Sequence, residues 1–288
     1  MTHDSYQHQH QHQHQHGSGD ARHDEAGLAD LLDLDAEVAG SYLDEVTEWA
    51  ARHAPEAPRT IADVGAGTGA GSLALARRFG AAEVVAIDRS ALMLERLRAA
   101  ARGRGPADRL RLVRADLDVA WPAIGAVDLA WAASSLHEFA DPERVLRDVH
   151  AALNPGGLLV VIEMDALPRF LPDDLGLGRP GLESRCHEVV AEAHWNAHPD
   201  WRCHLERAGF EIAGQRGFTI EPSPAPPATG RFARAYLSRI RSVVEGRLAA
   251  DDLDVLDRLL ADDDPEGLLR RRDLTVRGTR TAWAARRP

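Results

Sequence analysis

The sequence predicts an α/β protein built on a doubly wound, mostly parallel sheet, and three observations carry that expectation. Residues 60–90, TIADVGAGTGAGSLALARRFGAAEVVAIDRS, read as a buried strand, a glycine turn, a helix, a second buried strand and then an acid, Asp88. Downstream, short apolar runs alternate with helical patterns, the order of parallel strands joined by helical crossovers. A chain of 288 residues with 44% hydrophobic content can bury a core of that size, as one elaborated domain or as a domain with a cap.

Composition narrows the partners. Lys+Arg number 34 against 45 Asp+Glu, a net charge of −11, which argues against a broad phosphate-binding surface and hence against nucleic acid. Every Lys or Arg position is Arg. Cys186 and Cys203 fit free thiols in a reducing compartment better than a disulfide framework. No apolar run reaches membrane-spanning length and the N-terminus lacks the regions of a secretory signal, so a soluble cytoplasmic protein is expected.

Residues 1–24 carry the repeat QHQHQHQHQH followed by Gly17-Ser18-Gly19, a polar alternation with nothing to bury and therefore an expected disordered tail. His8, His10, His12, His14 and His16 suit a metal-catching tail, a low-complexity terminus or a purification tail, and composition alone fixes no metal geometry. Over 25–55, Leu28, Leu31, Leu32, Val38, Tyr42, Leu43, Val46 and Trp49 recur at helical spacing, giving one or two helices that end before Pro55 and Pro58. They either pack on the sheet or form a lid in which Tyr42 or Trp49 lines a substrate cleft.

Residues 56–221 form the expected core. After the opening unit come a helix over 91–102 stopped by Gly103 to Pro106, a strand over 110–114, and a strand over 127–132 with Asp128 near its start. A loop over 134–139 follows, then a helix beginning near Pro142. Asn154-Pro155-Gly156-Gly157 is expected to break that helix before a strand over 158–162. Within the substrate segment, 166–205, a Pro- and Gly-rich loop precedes a helix over 181–197 that carries His187, His194, Trp195 and His198. His194 and His198 have the spacing of paired metal ligands, but no carboxylate or cysteine completes a site. The other readings are an aromatic wall facing substrate, with His194 and Trp195 in it, or simple packing. A helix over 201–208 and a strand over 210–219 close the core.

The insertion 222–272 opens on PSPAPPA and then spaces Phe232, Tyr236, Ile240, Val243 and Val244, and later Leu253, Leu256, Leu259 and Leu260, as helices. It is expected either to cap the cleft or to build a homodimer surface. Residues 273–288 supply the closing strand.

The chemistry of the opening unit can be stated from its residue types. Gly65, Gly67 and Gly69 let backbone N–H groups face a carboxylate-bearing ligand, and the helix that follows adds a partial positive charge. Asp88, about 20 residues beyond the turn, is acceptor-only when ionised and can take two ribose hydroxyls. The pattern Gly65-Ala66-Gly67-Thr68-Gly69-Ala70 also fits a dinucleotide site, but an NAD-dependent dehydrogenase needs a second mononucleotide half that the later sequence does not offer.

DVGAGTG (63–69), the acid of VVAIDRS (Asp88), RADLD (114–118), DLAWAASSLHEF (128–139) and LNPGGLLVVIE (153–163) together resemble a class I S-adenosylmethionine-dependent methyltransferase in order and spacing, over about residues 56–221. The branch they look closest to includes ubiquinone-type and natural-product methyltransferases. The resemblance implies a Rossmann-like, seven-stranded sheet with an antiparallel last strand, S-adenosylmethionine as cofactor, and a small-molecule acceptor methylated on O, N or C. It further implies Asp63 at the cofactor's amino end, Gly65, Ala66, Gly67, Thr68 and Gly69 around the methionine moiety, and Asp88 at the ribose. Asp116 and Leu117 fall at the adenine, and Arg89 and Ala133 complete the cofactor set. His137, leaving the fourth strand at the carboxyl edge of the sheet, is the candidate base, with Ser135 and Glu138 secondary and Glu163 bordering the cleft. The alternative role for His137 is to brace its loop. The alternative for the protein is a non-catalytic S-adenosylmethionine-binding protein of the same fold. The long insertion departs from the family pattern, in which a tight turn joins the last two strands.

Overall fold

The computed structural model describes residues 18–102, 107–193 and 200–288. The glutamine–histidine repeat, the stop at Gly103 to Pro106, and the candidates His194, Trp195 and His198 lie outside them. Seven strands form one sheet in the order β3-β2-β1-β4-β5-β7-β6: β1 (Thr60–Val64), β2 (Glu83–Asp88), β3 (Leu110–Arg114), β4 (Val127–Ala133), β5 (Leu153–Met164), β6 (Glu211–Ile220) and β7 (Gly278–Arg286). The first five pair in parallel, and β7 runs antiparallel between β5 and β6. Strand order reverses between β1 and β4, so their carboxyl ends frame the crevice where ligands bind in open sheets of this kind.

Both faces of the sheet are covered, and β5 shows how its residues divide. Leu158, Val160 and Ile162 join one core cluster while Leu159 and Val161 join the other, as the two-residue period of a strand requires. The first cluster is built with α1 (Ser18–Ala39), α2 (Ser41–Ala51), α3 (Ala70–Arg78), α6 (Leu182–Glu192), α8 (Thr229–Val244) and α9 (Ala250–Leu260); the second with α5 (Pro142–Ala152) and α7 (Arg202–Arg207). A third, smaller cluster lies under α4 (Ala91–Ala101). Helix starts follow local rules. Ser90 Oγ accepts from Met93 N to cap α4, and Asp141 accepts from Arg144 N to cap α5, with Pro142 in the first turn.

Two boundaries differ from the sequence reading. The first helix is already formed at Ser18, where the described residues begin, inside the stretch 1–24 expected to be tail. The Asn154-Pro155-Gly156-Gly157 run does not separate helix from strand; it is the irregular start of β5. Leu153 already pairs with Val127, and the register resumes at Leu158 opposite Leu129. Long-range bonds hold it extended. Asn154 Nδ2 donates to Asp128 Oδ1 at 2.8 Å, and the backbone of Gly156 and Gly157 exchanges bonds of 2.9 Å with Arg287. Asp128 in turn accepts from Arg59 N and Thr60 N, so this acid braces the amino edge of the sheet, away from the crevice.

The insertion supplies α8 and α9. Its apolar residues Phe232, Tyr236, Leu237 and Ile240 are buried in the same cluster as α1 and α6, and Phe232 packs edge-on against Phe170 at 5.1 Å between ring centroids. Those faces are spent within the chain, over the β5, β6 and β7 side of the sheet.

Candidate active site

The glycine turn sits at the crevice because β1 ends there and its backbone is tied to the neighbouring strand: Gly65 N and Ala66 N both donate to Ile87 O, at 3.0 and 2.9 Å. At Gly65 a Cβ would stand 2.6 Å from Ser135 Cβ, so only a glycine lets β1 and the loop after β4 approach this closely. Gly69 caps α3 at φ +91°, and a Cβ there would fall 2.1, 2.7 and 2.9 Å from three carbons of the buried Leu97. Gly69→Ala is therefore expected to lower stability by about 1–3 kcal/mol from overpacking alone, read as a lower urea midpoint at unchanged slope.

Asp88 ends β2 beside this turn. Its Oδ2 accepts from Gly67 N at 2.8 Å and its Oδ1 from Ser90 N at 2.8 Å, which fixes the carboxylate and leaves further lone pairs toward solvent. Asp63, on β1, is 2% exposed. Its Oδ2 accepts from Ser72 Oγ at 2.5 Å, yet burial pushes the carboxyl up to about 7, with the Ser72 bond opposing and the nearby Asp88 charge adding to the rise. Among the described residues no cation is paired with it, so a positively charged group arriving in the crevice would relieve a buried acid.

The other expected cofactor residues fall around the same edge. Thr68 is buried and Ala66 packs against the cluster under α4. Asp116 is exposed after β3, with one carboxylate oxygen accepting from Asp118 N at 2.9 Å. Leu117 is turned into the core. Arg89 is exposed just beyond Asp88, its carbonyl accepting from Arg114 Nε. Ala133, half-buried, ends β4, and Ser134 beyond it holds the left-handed φ of +50° that few non-glycine residues adopt. Ser135 Oγ donates to Val64 O at 2.7 Å, binding this loop to the end of β1.

His137 stands between two acids. Its Nδ1 is 2.7 Å from Glu163 Oε2 and its Nε2 3.4 Å from Glu138 Oε1. Glu163, 2% exposed, also accepts from Leu136 N at 3.0 Å. Burial acts to lower the His137 pKa, but the bonds to Glu138 and Glu163 outweigh it and raise the value to about 10. An acid at each ring nitrogen favours the imidazolium, the form that donates protons rather than accepting them. Glu138 is kept low by His137, by Arg89 and by Arg239 of α8.

Above the turn lies α1. A Cβ on Gly67 would stand 3.1 Å from Leu32 Cδ1, so this helix covers the glycine turn directly. Ion pairs fasten it along its length: Arg96 of α4 to Asp30 and Asp33, both at 2.7 Å, Arg231 of α8 to Glu37 at 3.1 Å, and Arg280 of β7 to Asp35 at 2.7 Å. Tyr42 is buried at the same junction, its hydroxyl accepting from Arg280 at 2.7 Å. Sequence reasoning missed Leu32, Ser72 and Arg280 as site residues. Only Ser72 had a local signal, a hydroxyl in the first turn of the helix after the glycines. His187 lies on α6, where burial first and Arg169 second lower its pKa to about 4, and among the described residues no group of three His, Cys, Asp or Glu could hold a metal ion.

A sheet of this order, with a glycine turn and a β2 acid at the reversal point and an antiparallel β7 inserted beside β5, is the fold of the class I S-adenosylmethionine-dependent methyltransferases. Residues 61–157 match the family model of a methyltransferase domain. Over 115 residues the chain is 38% identical to demethylmenaquinone methyltransferase of Thermus thermophilus, covering 40% of this chain and 51% of that protein. Over 176 residues it is 38% identical to trans-aconitate 2-methyltransferase of Methylobacterium radiotolerans, covering 61% and 58%. The chain thus spans little more than half the length of these relatives. Among solved structures, a Bacillus halodurans protein described as a methyltransferase aligns with a TM-score of 0.54 at 19% identity, over 86% of this chain and 99% of that one, a likeness of fold alone. Among the described residues no helix is long and apolar enough to cross a membrane.

Proposed function

We propose that this protein transfers a methyl group from S-adenosylmethionine to an O, N or C nucleophile of a small-molecule acceptor. The observation that carries the reading is the pairing of a fixed, outward-facing Asp88 with a buried, cation-free Asp63 on the two sides of one glycine turn. A ligand with vicinal hydroxyls at one end and an ammonium with a carboxylate at the other answers both acids and the turn's N–H groups. Asp88 takes the ribose hydroxyls, Asp63 faces the ammonium, and Asp116 receives the adenine amino group. The names of the two relatives described above, a demethylmenaquinone and a trans-aconitate methyltransferase, point the same way, toward small acceptors.

When bound, S-adenosylmethionine supplies a methyl on a sulfonium, whose displacement needs chiefly a well-placed nucleophile. The chain's own contribution is therefore orientation and exclusion of water: the turn and Asp88 set the donor, and α1, pinned by Arg231 of α8, covers the turn. His137 and Glu163 hold the loop after β4 that frames the methyl's approach.

The test is formation of S-adenosylhomocysteine from S-adenosylmethionine across a panel of small acceptors. Turnover with any member supports the enzyme. Tight S-adenosylmethionine binding with no turnover across the panel favours the non-catalytic protein, and no binding removes the reading.

A further inference from the structure

Arg280 is hard to account for as part of the sheet. It is 8% exposed, lies on β7 opposite Met164 of β5, and sends its guanidinium up between α1 and α2. There it grips Asp35 of α1 with two bonds from one nitrogen, at 2.7 and 2.9 Å, lies over the Tyr42 ring at 4.6 Å, and donates to the Tyr42 hydroxyl. A small cavity opens at this place, walled by Asp35, Ala39, Met164, Ile220, Phe232 and Arg280. It lies at the carboxyl end of β5, where Met164 follows Glu163, and Glu163 is near enough to act electrostatically on the Tyr42 hydroxyl.

The chemistry is that of a carboxylate cradle. Guanidinium matches carboxylate in a fork, and a phenol that accepts from Arg280 has its own proton left to donate. The carboxylate now filling the cradle comes from α1, the helix that also packs on the glycine turn through Leu32. Once Asp35 leaves, a buried arginine keeps the Tyr42 hydroxyl but has no anionic partner until another anion arrives. The neighbouring histidine supports the same choice, since a ring held as imidazolium cannot deprotonate an acceptor, whereas a carboxylate is already an ionised oxygen nucleophile.

We propose that Arg280 and Tyr42 form the acceptor's carboxylate subsite, and that Asp35 occupies it as an internal stand-in while no acceptor is bound. This rests on the methyltransferase reading and narrows its acceptor to small carboxylic acids.

The experiment uses the full chain with S-adenosylhomocysteine present and titrates malonate, citrate and trans-aconitate, with trimethyl citrate as the uncharged control, by calorimetry. Asp35→Asn, which removes the stand-in's charge, is expected to bind at least one of the acids about tenfold more tightly than the unaltered chain. Arg280→Gln is expected to lose that response, and the neutral ester to give none in any variant. If Asp35→Asn binds every acid no better than the parent, the Arg280 to Asp35 pair is a structural brace and the proposal fails. This holds even where Arg280→Gln does not fold. Loss of S-adenosylhomocysteine binding in the parent chain would instead overturn the methyltransferase reading.

Discussion

Replacing Asp88 with Ala is expected to weaken S-adenosylmethionine binding by more than about tenfold, measured by calorimetry. One carboxylate oxygen is held by Gly67 N and the other by Ser90 N, each at 2.8 Å, and a carboxylate has about four acceptor positions. The remaining positions are those offered to the ribose hydroxyls. Each charge-assisted bond lost costs roughly 1.5–3 kcal/mol, against 1.4 kcal/mol for a factor of ten. The substitution also removes the acceptor that steadies the turn at Gly67. Asp88→Asn separates the two effects, because its amide keeps one acceptor oxygen without the charge, and it should recover part of the affinity. Equal affinity in Asp88→Ala and the parent would remove Asp88 from the site.

What the sequence made legible was local. The strand, glycine turn, helix and second strand over 60–88 fell where expected because each is dictated by neighbouring residues: an apolar run, a backbone that must turn at positive φ, an alanine-rich helix. The parallel order and the antiparallel β7 also followed, the first from alternation and the second from family likeness.

What was not legible depends on partners far apart in the chain. Asp35 and Arg280 are 245 positions apart, and nothing around Arg280 distinguishes it from the other arginines of an arginine-rich chain. The same holds for β5, whose early start is fixed by Val127, Asp128 and Arg287 rather than by its own Pro and Gly residues, which read correctly as breakers in isolation. His137 was singled out by its place at the sheet edge, but its charged form is favoured by Glu138 beside it together with Glu163, 26 residues later on another strand. A histidine's chemistry belongs to its surroundings, and those are tertiary.

Removal of that partner gives the second large effect. Glu163→Leu is expected to lower stability at neutral pH by about 3–5 kcal/mol, because it leaves a mostly buried imidazolium and the N–H of Leu136 without their shared acceptor. The pH dependence distinguishes this from ordinary loss of packing. The folded-state pKa of His137 is raised to about 10 from 6.5, so its contribution to stability is complete below pH 6.5 and is lost as pH rises through about 10. Urea midpoints of the parent should therefore fall between neutral pH and pH 10. In Glu163→Leu only Glu138, at 3.4 Å and on the more exposed side, still favours the charged ring, so the fall should be smaller and the penalty of the substitution should shrink with rising pH. Glu163→Gln, which keeps an acceptor for Leu136 N, should lie between the two. A penalty that stays constant from pH 6 to pH 10 would mean that Glu163 does not favour the charged ring, and would leave His137 able to act as the base.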